Sequence, residues 1–158
     1  MRILNEQVSI PAAQSAVWAV LEDFGGVAKW APNMRRSKLV GNQATGKGAR
    51  RIMHHHLGFN FEEVITDWNP GSGYSFEVYR APYPMKNVRE NWCVTDRNGQ
   101  SLVSTQVTYS MALGRVGRLL DSLLVRHIVQ REMRNGLNGL KKHIATTAIG
   151  LARKPSST

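Results

Sequence analysis

The amino-acid sequence predicts an α+β domain in which one long C-terminal helix packs on a curved, seven-stranded antiparallel sheet, with two short helices after the first strand. Three observations carry this. Between Met34 and Met111 polar and apolar residues alternate with period two, and turn signals at Gly41-Asn42, Gly46, Gly58, Pro70-Gly71-Ser72-Gly73, Pro82 with Pro84, and Asn98-Gly99 cut the run into strands. After Gly114 the period becomes helical and holds for about thirty residues. Ahead of the alternating stretch stand a single strand and two short helical turns.

Each element follows from its residues. Leu4, Glu6, Val8 and Ile10 alternate with Ile3, Asn5, Gln7 and Ser9, which predicts the first strand, ended by Pro11. Residues 12–24 read as a short amphipathic helix, with Val17, Val20, Leu21 and Phe24 at three- and four-residue spacing. Gly25-Gly26 breaks it, and a second short helix carries Val27 and Trp30 up to Pro32. Six strands in an antiparallel meander follow, the clearest hairpin being Asp96-Arg97-Asn98-Gly99 between the Trp92-Cys93-Val94 and Leu102-Val103 runs. The last helix, from about Arg115 to Ala145, places Leu119, Leu123, Met133, Leu137, Leu140 and Ile144 on one arc, weakened locally by Gly136 and Gly139. Residues 1–148 are expected to form one domain and 149–158 a flexible basic tail. One helix cannot fill the concave face of seven strands, so a pocket is expected between them.

The chain of 158 residues is long enough to bury its own core without disulfides or a structural metal, and the lone Cys93 rules out an intramolecular disulfide. No apolar run approaches the roughly 18 residues of a membrane span, and the first residues turn polar before a secretory core forms, so a cytoplasmic location is expected. The formal charge is +10, and residues 114–158 hold nine Lys or Arg against only Asp121 and Glu132. Such a basic helix can meet nucleic acid, anionic lipid or an acidic carrier protein, or can simply be a solvated face. No zinc-finger spacing, RNP motif or helix-turn-helix signature accompanies it, so no nucleic-acid partner is expected.

Alternation assigns an inner face to each strand. Phe59, Phe61, Glu63 and Ile65 share one side; Phe76 and Val78 line the next strand with Arg80 near its end; Val88, Glu90, Trp92 and Val94 line another; Val103, Thr105, Val107, Tyr109 and Met111 line the last. Two carboxylates, Glu63 and Glu90, thus stand on apolar faces. Burying an unpaired carboxylate is costly, so each either protonates, which suits a general acid or base, or recruits a cation such as Arg36, Arg80 or Arg126. On the long helix the apolar arc also contains Arg126 and Gln130, which would face the pocket. His54-His55-His56 splits between two faces: Ala49, Met53 and Leu57 favour His55 inward, whereas a two-residue turn at Gly58-Phe59 would align His54 and His56 with Glu63. A His beside Glu63 would make an acid/base pair; two such His with a carboxylate could bind a metal, but no ligand set of established spacing is present and none is expected. Trp92, Tyr109, Phe61, Phe76 and Tyr83 would give the pocket aromatic walls, with Ala81-Pro82-Tyr83-Pro84-Met85 a stiff loop at its mouth. Cys93 falls on the outward face.

The run Val8 to Phe24, followed by Trp30-Ala31-Pro32-Asn33, by Glu63 to Pro70 with Tyr74-Ser75-Phe76, and by Glu90-Asn91-Trp92, resembles the START/Bet v 1-like (SRPBCC) superfamily, in particular its polyketide cyclase/dehydrase branch. The resemblance covers roughly residues 3–146. It implies the helix-grip fold, a ligand cavity between sheet and helix, and no cofactor. By its position after Trp30 to Asn33, Arg36 resembles the basic residue that some members turn inward from the second strand. Since the superfamily includes aromatase/cyclases, hormone receptors and lipid carriers, the fold does not fix the chemistry.

Two functions are therefore expected to compete. The first is cyclisation and dehydration of a hydrophobic, oxygenated substrate, a lyase-type reaction with Glu63 and a neighbouring His, or Glu90, as acid or base, Arg126 or Arg36 as partner of the enolate oxygen, and the aromatic residues with Gln130 as walls. The second is a non-enzymatic carrier or sensor of a lipid or quinone, its basic helix touching anionic membranes. Partners other than the small molecule would be a transient membrane or acyl carrier protein contact, on a monomer or homodimer.

Overall fold

The computed structural model describes residues 1–152. Its strands are β1 (Arg2–Ile10), β2 (Met34–Val40), β3 (Arg50–His55), β4 (Asn60–Asn69), β5 (Gly73–Arg80), β6 (Met85–Arg97) and β7 (Gln100–Met111). They form one sheet in the order β1-β7-β6-β5-β4-β3-β2, every neighbouring pair antiparallel. β2 to β7 are the predicted meander. β1 closes it on the far side of β7, with Arg2 opposite Tyr109 and Ile10 opposite Ser101. Between β1 and β2 lie α1 (Gln14–Leu21) and a 3₁₀ turn over Phe24–Lys29, which bury Val17, Trp18, Leu21, Phe24 and Val27 in the core.

Register shifts interrupt β2 between Met34 and Arg36, the pairing of β4 with β5 at two places, and β6 between Lys86 and Arg89. A bulge bends its strand and sharpens the local twist, which suits a sheet that must curve around a helix. It also moves every side chain beyond it to the other face. That is why Arg36, two residues after the inward Met34, is exposed and stands opposite His54 rather than turning into the interior.

The C-terminal helix is α2 (Gly114–Leu120), a π-helical turn over Asp121–Val125, and α3 (Arg126–Ala152) in unbroken succession. Met133, Leu137, Leu140 and Ile144 of α3 are buried against the sheet, on the arc the periodicity predicts. Leu119 and Leu123 are not on that arc: they are 60% and 69% exposed. Gly117 and Asp121 hold the inward stripe instead, followed by the half-buried Val125. Asp121 is 4% exposed and is pinned from two sides, by the Arg2 guanidinium at 2.7 Å and by a short hydrogen bond from the Tyr109 hydroxyl. The wide turn around this anchored aspartate resets the helix phase, so the arc of Met133 and Leu137 does not extrapolate back to Leu119 and Leu123. The helix also continues through Ala152, past the expected domain end at 148; residues 153–158 of the expected tail lie outside the described residues.

Candidate functional site

Between the inner face of the sheet and α3 lies a cavity of about 310 Å³. Inward positions of β3 to β7 supply Met53, Phe61, Phe76, Val78, Val88, Trp92 and Val107; α3 closes it with Val129, Met133 and Gly136; and Pro82 to Met85 cross its mouth, where Tyr83 is 73% exposed. The walls are mostly apolar, with an edge-to-face contact of Trp30 on Trp92 at 5.6 Å. Hydrophobic walls with a few convergent polar groups are what a small-molecule site needs.

Three carboxylates line these walls, Glu132 from α3 and two from the sheet, Glu63 and Glu90, and the sheet pair differ. Glu63 is directly opposite Arg51 across β3 and β4, and Arg51 Nε donates to Glu63 Oε2 at 2.7 Å with both side chains 3% exposed. Arg51 Nη1 also donates to the carbonyl of Phe24 at 2.6 Å, and its guanidinium lies 3.9 Å above the Phe24 ring. Burial pushes the Glu63 carboxyl above the usual carboxylate range, opposed by the charge and hydrogen bond of Arg51. A buried carboxylate with its own guanidinium and a satisfied second donor contact is a closed ion pair.

Glu90 has no such cation. Its Oε1 accepts a hydrogen bond from the Thr105 hydroxyl at 2.7 Å, and its remaining exposure is to the cavity it lines. Desolvation is the main cause that pushes its pKa up to about 7, with the nearby Glu63 charge adding to it and the Thr105 bond, the Arg51 charge and a hydrogen bond from Trp92 opposing. A carboxyl group poised near neutrality on an apolar wall can both give and take a proton.

His55 forms a third polar group. The register settles the histidine triplet: His54 pairs with Asn60, and His55 turns inward at 5% exposure. Its neighbour is Glu132 rather than Glu63, with Nε2 3.4 Å from Oε2, while Nδ1 accepts the Leu57 backbone N–H at 3.1 Å. The acceptor role of Nδ1 places the proton of the neutral ring on Nε2, aimed at Glu132. The ring stacks on Phe59 at 4.4 Å, and Asn33 Nδ2 donates to the same Glu132 oxygen at 2.6 Å. Both ring nitrogens are therefore engaged, which makes this cluster a brace between β3 and α3.

The other candidates separate cleanly. Phe61, Phe76, Trp92 and Tyr83 line the cavity with Glu63, Glu90 and His55, whereas Arg36, Arg126, Tyr109 and Gln130 do not. Arg126 lies against His127, with Nε 3.1 Å from its ring. Gln130 reaches out to Glu6 at 3.4 Å. Tyr109 is inward and fully buried, but under α2 where it binds Asp121; burial and that hydrogen bond raise its pKa. Arg80 pairs with Glu62 at 2.7 Å near the surface. Sequence reasoning missed Arg51 and Glu132. Arg51 was signalled, since it alternates with Ala49 and Met53 on the apolar face of β3; Glu132 depends on the helix phase and carried no such mark. Among the described residues no group of three His, Cys, Asp or Glu side chains is placed to hold a metal ion.

The sequence profile of the family described as polyketide cyclase/dehydrase and lipid transport matches residues 1–145. No curated protein matches the sequence. Among solved structures, the protein XoxI from Bacillus cereus superposes with a TM-score of 0.74 at 20% identity, covering 92% of this chain and 96% of that one. TTHA0849 from Thermus thermophilus does so at 0.76 and 17% identity, covering 92% and 99%. Ara h 8.0201 superposes at 0.72 and 12% identity, covering 92% and 98%. At such identities these neighbours establish the fold, which is that of the START/Bet v 1-like superfamily.

Proposed function

Because the chain belongs to the polyketide cyclase/dehydrase and lipid transport family, we propose that it binds a hydrophobic, oxygenated small molecule in the cavity between sheet and α3 and catalyses its cyclisation and dehydration, with Glu90 as the general acid and base. The observation that carries this reading is Glu90 itself: a carboxyl group on an apolar wall, without a cation of its own, with a pKa of about 7. Near neutral pH half of such groups are ionised, so proton transfer in both directions is accessible. The ionised Glu90 takes a proton from a carbon between two carbonyls, and that carbon attacks a third, more distant carbonyl of the same molecule. Glu90 then returns the proton to the new alkoxide. Loss of the hydroxyl with a further α-proton, as water, completes the dehydration. Among the described residues Arg51 is the one Lys or Arg side chain in the lining, and its charge, held by Glu63, the Phe24 carbonyl and Tyr74, stands where the sequence assigns Arg126 or Arg36 as partner of the enolate oxygen. The aromatic walls restrict which carbons meet.

The test uses an aryl 1,3-diketone, whose central carbon exchanges hydrogen for deuterium by the same first step. Wild-type protein should accelerate exchange in deuterated buffer, followed by NMR, and Glu90→Gln should lose about 100-fold or more of that acceleration while keeping its affinity for the diketone. Equal exchange by both proteins contradicts the assignment. The second reading, carriage without chemistry, is favoured by the apolar character of most of the lining, and it predicts tight binding with no exchange above buffer.

A further inference from the structure

The outward face of α2 and the π-helical turn is apolar, which inverts the usual arrangement for a surface helix. Val116, Leu119, Leu120, Leu123, Leu124 and Ile128 are all exposed, while the inward stripe carries Gly117 and Asp121. The inversion is held in place. Gly117 is packed so closely that a Cβ there would stand 1.8 Å from the carbonyl oxygen of Ala112, and Asp121 is bound by Arg2 and Tyr109. The leucines therefore cannot roll inward without breaking both contacts.

The charge around this face has one sign. Arg115, Arg118 and Arg126 flank it, Arg131 pairs with Glu132 at 3.6 Å, and the other acid of this stretch, Asp121, is buried. A second copy would bring the same arginines onto these with no carboxylate to meet them. An anionic surface with an apolar interior complements both features at once. The face is also continuous with the mouth of the cavity: Ile128 belongs to both, and the exposed Leu57 and Tyr83 stand on the rim.

We propose that the outward face of α2 and the π-helical turn docks on an anionic lipid bilayer, seating its leucines among the acyl chains and Arg115 and Arg118 against the headgroups, with the cavity mouth turned to the membrane. A helix of this composition lies in the interface plane, and its affinity combines buried apolar area with attraction to anionic lipid. The cavity could then exchange an apolar ligand with the bilayer without passing it through water, whatever Glu90 does to that ligand.

Flotation with phosphatidylcholine vesicles, with and without about one third phosphatidylglycerol, tests this. Wild type is expected to float with the anionic vesicles, less so at high salt, and only weakly with phosphatidylcholine alone. The double variant Leu119→Ser with Leu123→Ser should lose about 100-fold in affinity with an unchanged melting temperature, since both side chains are already in water. Arg115→Gln with Arg118→Gln should lose about tenfold or more on anionic vesicles alone, and it keeps the test decisive should the leucine variant fold poorly. No flotation of wild type, or flotation indifferent to both double variants, overturns the proposal. So does light scattering that shows a dimer dissociated by the leucine variant, or binding of an acidic acyl carrier protein through this face in the absence of vesicle binding.

Discussion

Arg51 and Glu63 sit opposite each other with their charges matched, while Glu90, on β6 beyond β5, has no cation of its own and is held by the neutral donors Thr105 and Trp92. The two glutamates should therefore respond differently to the same substitution. Glu63→Gln orphans a buried guanidinium and is expected to lower stability by about 3 kcal/mol or more in urea unfolding. Glu90→Gln removes a charge that the fold disfavours. Its carboxyl goes from about 4.5 when unfolded to about 7 when folded, so the folded state binds the extra proton. A raised carboxyl pKa stabilises at low pH, and that stabilisation is lost as the pH rises from about 4.5 through 7. Relative to Glu90→Gln, wild type should lose roughly 3 kcal/mol at most between pH 4.5 and pH 8, read from unfolding curves of both proteins. A wild-type slope equal to that of the variant would show that Glu90 titrates normally.

At the level of elements, strand faces were legible in the sequence because alternation is local: the inward sets of β4, β6 and β7 follow directly from period two. What broke legibility was phase. One bulge in β2 sends Arg36 to solvent, and one π-helical turn sends Leu119 and Leu123 off the inner face, and neither has a signature that composition reveals. Arg51 was missed for another reason, since a charged residue in an apolar alternation reads as an edge until its partner is known. The helix glycines, legible only as weak points, have opposite roles. A Cβ on Gly136 would meet only Trp92, at 3.9 Å, and would project into the cavity; one on Gly139 would stand 2.2 Å from the carbonyl oxygen of Trp30. Gly136→Ala should accordingly raise stability by about 1 kcal/mol or less through helix propensity while weakening diketone binding. Gly139→Ala should destabilise, by about 1–3 kcal/mol, despite the same propensity gain. Melting temperatures of the pair decide it, and a gain for both would mean that α3 stands off the 3₁₀ turn.

For the molecule as a whole, α3 fills only part of the concavity that seven strands make, and the remaining space is where the sheet presents Glu90. None of the described helices is long and apolar enough to cross a membrane. Family membership and fold come from features spread over the chain, whereas the chemistry rests on one carboxyl group in that space. The most direct test is an NMR titration of protein labelled with ¹³C at the glutamate carboxyl carbons, with and without the aryl 1,3-diketone. One resonance is expected to titrate with a midpoint near pH 7, to disappear in Glu90→Gln and to shift when the diketone is added. A Glu90 resonance titrating in the ordinary carboxylate range, or one indifferent to the diketone, would contradict it.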